Sequence, residues 1–196
     1  GGALCNTTGY VVDCYFEANG ALGGGAVYLN GCSPKFSRCT FGWHDNASQG
    51  NSALLSGGAV VCQSTAGTVT APSFSRCYFY NNSTSMQGGA VYTIGYSATD
   101  KASAEFVNCE FWQNKATGNS SHGGALNARE FSSLKVVNCT FSMNSTVSAA
   151  SGGAIYVNGN SSGSASVSVH NCLFWGDTSN GVASEIVLGP YGTRTL

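Results

Sequence analysis

Two short motifs alternate along this chain and divide it into repeats. The first motif is Gly-Gly-Ala followed by an aliphatic residue, and its copies begin at Gly1, Gly24, Gly57, Gly88, Gly123 and Gly152. The second motif is Cys-x-Phe, and its copies begin at Cys14, Cys39, Cys77, Cys109, Cys139 and Cys172. Equivalent alanines lie 23 to 35 residues apart. Repeats of this length are typical of solenoids, in which each unit buries its apolar face against its neighbours.

A bend is predicted directly before each repeat cysteine. In the first copy the apolar residues are Val11, Cys14 and Phe16, and the other copies place apolar residues at the same offsets. Side chains alternate along a strand, so one straight strand would put Val11 and Cys14 on opposite faces. The conflict disappears if the chain turns at the intervening polar residue, where asparagine tolerates a left-handed conformation. These polar residues are Asp13, Arg38, Arg76, Asn108, Asn138 and Asn171.

A second bend is predicted three residues after each phenylalanine. That position holds Asn19, Asn82, Asn114 and Asn144 in four coils and His44 and Asp177 in the other two. The glycine pair marks a further bend, or a close approach between coils. We expect the residue after each alanine to point inward, namely Leu4, Val27, Val60, Val91, Leu126 and Ile155. The tyrosines that follow, Tyr28, Tyr92 and Tyr156, are expected to point outward.

The pattern predicts an all-β fold, a single-stranded parallel β-helix of about six coils with roughly 31 residues and two or three short strands per coil. Apolar residues do not persist at helical spacing over the length that an α-helix needs. The recurrent hairpins of a propeller are not indicated either. Residues 1–186 are predicted to form the repeat domain, and residues 187–196 a tail or the start of a further coil.

Composition argues against several classes of partner. Charged residues make up 9% of the chain and the formal net charge is -1. Because the few lysines and arginines are scattered along the whole length, we predict no nucleic-acid binding. No apolar run reaches the roughly 18 residues of a membrane span. The chain opens without methionine and inside a motif, and we interpret it as a processed or partial product whose signal peptide lies elsewhere.

The repeat cysteines are predicted to stack in one column. Two interpretations remain open: a ladder of buried thiols that act as small apolar side chains, or lateral disulfides between adjacent coils. Parallel Cα–Cβ vectors disfavour relaxed disulfides within the column. Outside it lie Cys5, Cys32 and Cys62, and a Cys32–Cys62 disulfide is favoured over one within the column. No metal site is predicted, because no Cys-x-x-Cys pair occurs and the three histidines occupy different coil positions.

Glycosylation sequons indicate an extracellular protein. Asn46, Asn119 and Asn160 lie in variable segments and are the preferred acceptors, with Asn6 and Asn81 as further candidates. Others within the repeats are Asn82, Asn138 and Asn144.

Aromatic residues flank several repeat cysteines and phenylalanines. Tyr15, Tyr78, Tyr80, Trp112 and Trp175 are predicted to form a broken outward stripe, suited to stacking on sugar rings or on a neighbouring rod. The alternative is that these rings pack partly beneath the variable loops.

Acidic residues are the candidates for a catalytic site of the kind that polysaccharide lyases and hydrolases need. Asp13 and Glu17 are close in sequence, and Glu105 and Glu110 share a coil. Neither pair is accompanied by a repeated set of acids or bases on one face. We therefore predict no catalytic residues, no enzyme activity and no cofactor.

The alternation of Gly-Gly-Ala-aliphatic with Phe-x-x-Asn resembles the repeat of the chlamydial polymorphic outer membrane proteins. The second motif occurs as Phe16–Asn19, Phe79–Asn82, Phe111–Asn114 and Phe141–Asn144, and it is broken at Phe41–His44 and Phe174–Asp177. Similar repeats occur in large extracellular proteins of algae, oomycetes and other microbes. The resemblance covers nearly all of residues 1–186 and implies a right-handed β-helix of a surface or secreted protein, with a role in adhesion.

These observations predict an extracellular, glycosylated, non-enzymatic β-helical rod with a structural or adhesive role. Its expected partners are other copies of itself, stacked end to end into a fibre, and attached glycans, with a cell-surface or carbohydrate ligand. The alternatives are a monomeric adhesin or glycan-binding module and, less favoured, a β-helical polysaccharide lyase or hydrolase.

Overall fold

A computed structural model describes the backbone of residues 2–5 and 8–195 and the side chains of residues 8–194. The chain winds through four sheets, here named A to D in the order in which each coil visits them. Sheet A contains Gly2–Cys5, Val27–Asn30, Val60–Gln63, Val91–Ile94, Leu126–Arg129, Ile155–Asn158 and Ile186–Leu188. Sheet B contains Tyr10–Val12, Lys35–Ser37, Ser73–Ser75, Ala102–Val107, Ser132–Val137, Ala165–His170 and Gly192–Thr195.

Sheets C and D complete each coil. Sheet C contains Tyr15–Phe16, Thr40–Gly42, Tyr78–Tyr80, Glu110–Trp112, Thr140–Ser142 and Leu173–Trp175. Sheet D contains Gly20–Gly23, Ser52–Ser56, Ser83–Thr84, Lys115–Ala116, Ser145–Thr146, Thr178–Ser179 and Val182–Ala183. A short 3-10 helix spans Ala47–Gln49. Neighbouring coils pair in parallel, which confirms the predicted β-helix, and the exception in the described part is the last pair of sheet D.

Each coil has four short strands, so the expectation of two or three was too low. The additional strand follows the second bend, and from the third coil onward it is a two-residue segment such as Ser83–Thr84. A further segment of variable length follows it before the glycine pair, as residues 85–87 do before Gly88.

The predicted bend before each cysteine is confirmed. The six polar residues there have φ between 52° and 55°, in the left-handed region. The turn separates sheet B from sheet C, so the apolar residues on either side of it both reach the core.

The two glycines of each pair are required for different structural reasons. The first glycine is left-handed, with φ of 65° at Gly88. The second lies outside the left-handed region, but a Cβ at Gly89 would overlap the carbonyl oxygen of Gly124 in the next coil. Close approach of the backbones at this corner therefore excludes any side chain.

Stacked phenylalanines form the centre of the core. One column runs through Phe16, Phe41, Phe79, Phe111, Phe141 and Phe174, with ring centroids 4.6 to 4.9 Å apart and planes within 8° of parallel. A second column, Phe36, Phe74 and Phe106, meets the first edge-on. The column spacing matches the separation of hydrogen-bonded strands, because each coil contributes one ring per column.

The aliphatic residues after the alanines point into this core, as predicted. Val27, Val60, Val91, Leu126 and Ile155 are buried, whereas the side chain of Leu4 lies outside the described residues. The tyrosines occupy the alternate, outer positions of sheet A. Tyr28 and Tyr92 are half-buried there, and the ring of His122 covers Tyr156 with centroids 4.4 Å apart.

We expect Phe79→Leu to lower the free energy of unfolding by about 2 kcal/mol, because it removes two stacked contacts and leaves a partly filled space. The ring of Phe79 stacks on Phe41 at 4.8 Å and on Phe111 at 4.7 Å. Urea unfolding measures the change. Phe16→Leu is the matched control, because Phe16 is half-buried and stacks on one ring only. Equal losses in the two variants would contradict a contribution from continuous stacking.

A hairpin changes the direction of the chain at the end of sheet D. Asn180 and Gly181 both have positive φ, 50° and 74°, as a tight two-residue turn requires. Val182–Ala183 then pairs antiparallel with Thr178–Ser179 and covers the outer edge of that sheet. Beyond it, Ile186–Leu188 and Gly192–Thr195 pair in parallel with sheets A and B.

Candidate functional site

The outer face of sheet C carries the aromatic residues that the sequence singled out. Cysteine and phenylalanine point inward along this sheet, so the residue after each of them points outward. Tyr78 lies between Thr40 and Glu110 of the neighbouring coils, and Tyr80 pairs with Trp112.

The stripe begins at Tyr15 and ends at Trp175, each 69% exposed. It is interrupted at Thr40, which lies between Tyr15 and Tyr78, and at Ser142, which pairs with both Trp112 and Trp175. Within sheet C the aromatic residues are therefore adjacent at Tyr78, Tyr80 and Trp112 and isolated at Tyr15 and Trp175.

An insertion after Gly42 adds a further tryptophan to this surface. Residues 43–50 leave the coil as a loop that includes the 3-10 helix. The ring of Trp43 lies 6.3 Å from that of Tyr15, tilted by 41°. The ring of His44 stacks on Trp112 at 4.2 Å and meets Tyr80 edge-on at 5.1 Å. Trp43 was not part of the predicted stripe, because it lies outside the repeat pattern.

The prediction that His44 occupies the second bend is wrong, because Asn51 takes that position. The inserted loop displaces the bend, so the coil resumes at Asn51. A signal was present in the sequence: Asn51-Ser-Ala resembles Asn19-Gly-Ala and Asn82-Ser-Thr, where a small residue and then alanine or threonine follow the asparagine.

These bend residues form a buried polar ladder, here called the asparagine ladder: Asn19, Asn51, Asn82, Asn114, Asn144 and Asp177. Each asparagine donates from Nδ2 to the side-chain oxygen of the next member at 2.8 to 2.9 Å. From Asn51 to Asn144, Nδ2 also donates to a phenylalanine carbonyl in the preceding coil at 2.8 to 3.0 Å. The ladder therefore fixes the corner that presents sheet C.

A pocket of about 240 Å³ opens where the loop meets sheet C. Its lining residues, here called the aromatic pocket, are Tyr15, Thr40, Trp43, His44, Asp45, Tyr78 and Tyr80. The pocket combines ring faces with hydroxyl groups and a carboxylate. Such a surface suits an amphipathic ligand that has C–H groups on one face and hydroxyl groups at its edges.

Polar contacts fix two walls of the aromatic pocket. The Asp45 carboxylate lies 2.8 Å from Nδ1 of His44. The Tyr80 hydroxyl donates to Oε2 of Glu110 at 3.2 Å, and burial followed by the Glu110 charge raises the pKa of Tyr80. Tyr80 is therefore a neutral hydrogen-bonding group at physiological pH.

Of the acidic residues that were candidates for a catalytic site, Asp13 and Glu105 form ion pairs and Glu17 is exposed. Asp13 forms a two-pronged ion pair with Arg38, both contacts at 2.7 Å, and the hydrogen bond from Arg38 lowers the pKa of Asp13. Glu105 pairs with Lys135 at 2.8 Å. Glu17 is exposed in the first coil. Asp13 and Glu105 are therefore each engaged in an ion pair with a neighbouring coil, whereas Glu17 is not part of such a pair in the described residues.

The repeat cysteines stack in one column as thiols. Cys39, Cys77, Cys109 and Cys139 are buried, while Cys14 and Cys172 at the ends are half-buried. The backbone N–H of Cys109 donates to Sγ of Cys139, and that of Cys139 to Sγ of Cys172, both at 3.4 Å. Burial, then the neighbouring thiols, raises the pKa of Cys109. Hydrogen bonds from the adjacent thiols instead lower the pKa of Cys77 and of Cys139, so raised and lowered pKa values alternate along the column.

Outside the column, Cys32 and Cys62 are both buried. Burial and then the proximity of Cys32 raise the pKa of Cys62. Their disulfide stays a prediction.

The predicted glycosylation acceptors have different surroundings. Asn46 and Asn119 are exposed and Asn160 is half-buried, whereas Asn6 lies outside the described residues. Asn81 is 8% exposed. Its Nδ2 donates to the carbonyl oxygens of Trp43 and His44 at 2.8 and 3.2 Å, so this amide supports the loop and is the least favourable acceptor.

The described residues contain neither a metal-binding cluster nor a membrane-spanning helix. Across residues 2–5 and 8–195, no three His, Cys, Asp or Glu side chains are grouped to hold a metal ion. Over the same residues, no helix has the length and apolar character needed to cross a membrane.

Comparison with known proteins identifies the family. A profile described as the right-handed β-helix region matches residues 1–185. Neither the curated proteins nor the solved structures gave a significant match. The matched family includes pectate lyase-like enzymes as well as proteins that are not enzymes. Since the profile covers nearly the whole chain, the protein belongs to the right-handed β-helix family.

Proposed function

We propose that this protein is an extracellular, glycosylated and non-enzymatic β-helical rod that adheres to carbohydrate through the aromatic face of sheet C. The aromatic pocket is the observation that carries this proposal. Tyr15, Trp43 and Tyr78 present exposed rings there, beside a carboxylate and hydroxyl groups.

Sugars fit this chemistry because a pyranose has an apolar C–H face and a rim of hydroxyl groups. Burying that face against an aromatic ring recovers hydrophobic free energy, while hydroxyl and carboxylate groups at the edge satisfy the sugar's hydrogen bonds. The acidic groups near the aromatic pocket, Asp45 and Glu110, favour a neutral sugar over a uronic acid, because like charges repel.

A surface location is supported by the exposed sequons and by the resemblance to the chlamydial repeat. The low charge content is also consistent with solubility supplied by attached sugars and by Ser, Thr and Asn side chains. A rod suits this role because each coil adds length without changing the exposed face of sheet C.

End-to-end association into a fibre is a second candidate, favoured by the first coil. Val11, Cys14 and Phe16 are half-buried core residues that stack on one neighbouring coil only. A second copy, or a further coil of the same chain, placed against this coil would cover them, whereas the hairpin strand pairs antiparallel at the other edge of sheet D.

A polysaccharide lyase or hydrolase is less well supported. Asp13 and Glu105 are held in ion pairs across coils, and the double variant Asp13→Asn with Glu17→Gln is expected to leave carbohydrate binding unchanged. Depolymerisation of an acidic polysaccharide, lost in that variant, would favour the enzyme instead.

Carbohydrate binding is tested on an array of neutral and uronic-acid-containing oligosaccharides. We expect binding to neutral members, and the double variant Tyr15→Ala with Trp43→Ala should weaken it at least about tenfold, since each ring contributes roughly 1 kcal/mol. Tyr96→Ala is the matched control, because Tyr96 is an exposed aromatic that does not line the aromatic pocket. The array uses protein produced without glycosylation, and its failure to bind any carbohydrate, or equal losses in both variants, would refute the proposal.

A further inference from the structure

One exposed sequon, that of Asn46, and the aromatic pocket share one loop. Trp43, His44 and Asp45 line the pocket, and Asn46 is the next residue. Consecutive Cα atoms are about 3.8 Å apart, so a sugar on Asn46 begins at the rim of the pocket. We infer that an N-linked oligosaccharide on Asn46 folds back over the aromatic pocket and covers it, so that glycosylation regulates access to the proposed binding site.

The local geometry presents Asn46 as an acceptor. The residue is exposed and extended, with φ of -143° and ψ of 105°. Its Oδ1 accepts from the backbone N–H and the hydroxyl of Ser48 at 3.0 and 2.7 Å. The two polar residues of the sequon are therefore in contact at the surface. Nδ2 of Asn46 forms no hydrogen bond within residues 8–194, so it is available for modification.

The covalent step needs a lipid-linked diphospho-oligosaccharide as donor. Nδ2 of Asn46 loses one proton and bonds to C1 of the first sugar, while the bond from C1 to the diphosphate breaks and the lipid diphosphate leaves. This step uses no oxidant or reductant.

The neighbouring ring is placed to receive the first sugars. Trp43 lies three residues before the acceptor and is 39% exposed, while Tyr15 tilts against it from the first coil. Asn81 holds the loop in place through the carbonyl oxygens of Trp43 and His44. The pocket is therefore pre-formed, and a tethered sugar loses less freedom on docking than a free one.

The second exposed sequon lacks these surroundings and provides a control. Ser148 donates from its hydroxyl to the carbonyl oxygen of Asn119 at 2.6 Å, so the contacts of that loop are with another loop. Asn119 does not line the aromatic pocket. A glycan on Asn119 is expected to leave Trp43 uncovered.

The test uses the full chain produced in a glycosylating eukaryotic host, with Trp112→Phe and Trp175→Phe so that Trp43 is the single tryptophan. Peptide mass spectrometry establishes whether Asn46 carries sugar. Acrylamide quenching of Trp43 fluorescence is then compared between this protein, its Asn46→Gln form and its Asn119→Gln form. We expect the quenching constant to rise about twofold in Asn46→Gln, since one ring face is uncovered, and to stay unchanged in Asn119→Gln.

Two results would overturn the inference: an unmodified Asn46, or quenching that does not respond to removal of its glycan. The inference depends on the proposed function for its regulatory meaning, and the two can fail separately. If Asn46→Gln exposes Trp43 to quencher but the variant binds no carbohydrate on the array, the glycan does cover the pocket and the proposed adhesive function is wrong. If the protein binds carbohydrate on the array equally well with and without the Asn46 glycan, the adhesive function is supported and the inference that the glycan regulates access is wrong.

Discussion

Asn114→Leu is expected to lower the free energy of unfolding by about 5 kcal/mol, since each buried polar group left without a partner costs roughly 1 to 3 kcal/mol. Asn114 is fully buried. Its Nδ2 donates to the carbonyl oxygen of Phe79 at 2.8 Å, and its Oδ1 accepts from the backbone and side chain of Asn82 at 3.1 and 2.9 Å. Leucine has no amide, so the Phe79 carbonyl oxygen, the Asn82 backbone N–H and Nδ2 of Asn82 all lose their hydrogen bond to residue 114.

A loss of that size is a large part of the total stability of an ordinary domain. Urea unfolding followed by circular dichroism gives the comparison. Asn19→Leu is the matched control, because Asn19 ends the asparagine ladder, is half-buried and donates to one neighbour, Asn51. We expect a loss of about 1 kcal/mol there. If both variants lose the same small amount, the asparagine ladder contributes little to the fold.

The sequence predicted the coil well because its corners have strict requirements. A left-handed residue before each cysteine and a glycine pair without room for Cβ leave few alternatives, so the same pattern recurs in every coil. The number of strands was underestimated, since two-residue strands such as Lys115–Ala116 are too short to show alternation.

The candidate site was predicted only in part, and the inserted loop is the reason. The stripe on sheet C follows from repeat positions, and the structure places Tyr78, Tyr80 and Trp112 there together. The position of Trp43 and the displacement of the bend to Asn51 both depend on the length and path of the inserted loop, residues 43–50. The spacing of the repeats does not predict the length of this loop, because a loop can vary in length at little free-energy cost.

The last member of the asparagine ladder is an acid, and this makes the fold sensitive to pH. Asp177 is fully buried. Its Oδ1 accepts from the backbone N–H and Nδ2 of Asn144, both at 2.8 Å. Its Oδ2 has no hydrogen-bond partner within residues 8–194. Earlier members use Nδ2 at this position to donate to a phenylalanine carbonyl, which an ionised carboxylate cannot do.

Burial is the main reason why the pKa of Asp177 rises from its ordinary value of 3.8 to about 6, and the nearby Glu185 charge adds to it, while hydrogen bonds from Asn144 oppose the rise. Because the folded state holds the proton more tightly than the unfolded state, the stabilisation is complete below about pH 4. It is lost as the pH rises through about 6.

Asp177→Asn is therefore expected to raise the free energy of unfolding at pH 8 by about 3 kcal/mol, the equivalent of a shift of roughly two pKa units. The gain should shrink as the pH falls and vanish near pH 4, where the native carboxyl is protonated. Urea unfolding across this range measures it. Asp13→Asn is the control, because Asp13 is exposed and its pKa is lowered by Arg38, so it cannot produce a loss of stability with rising pH. A gain that is the same at pH 4 and pH 8 would show that the asparagine stabilises by its hydrogen bonds alone. A pH-dependent gain shows that the ladder ends in a carboxyl group that folding keeps protonated.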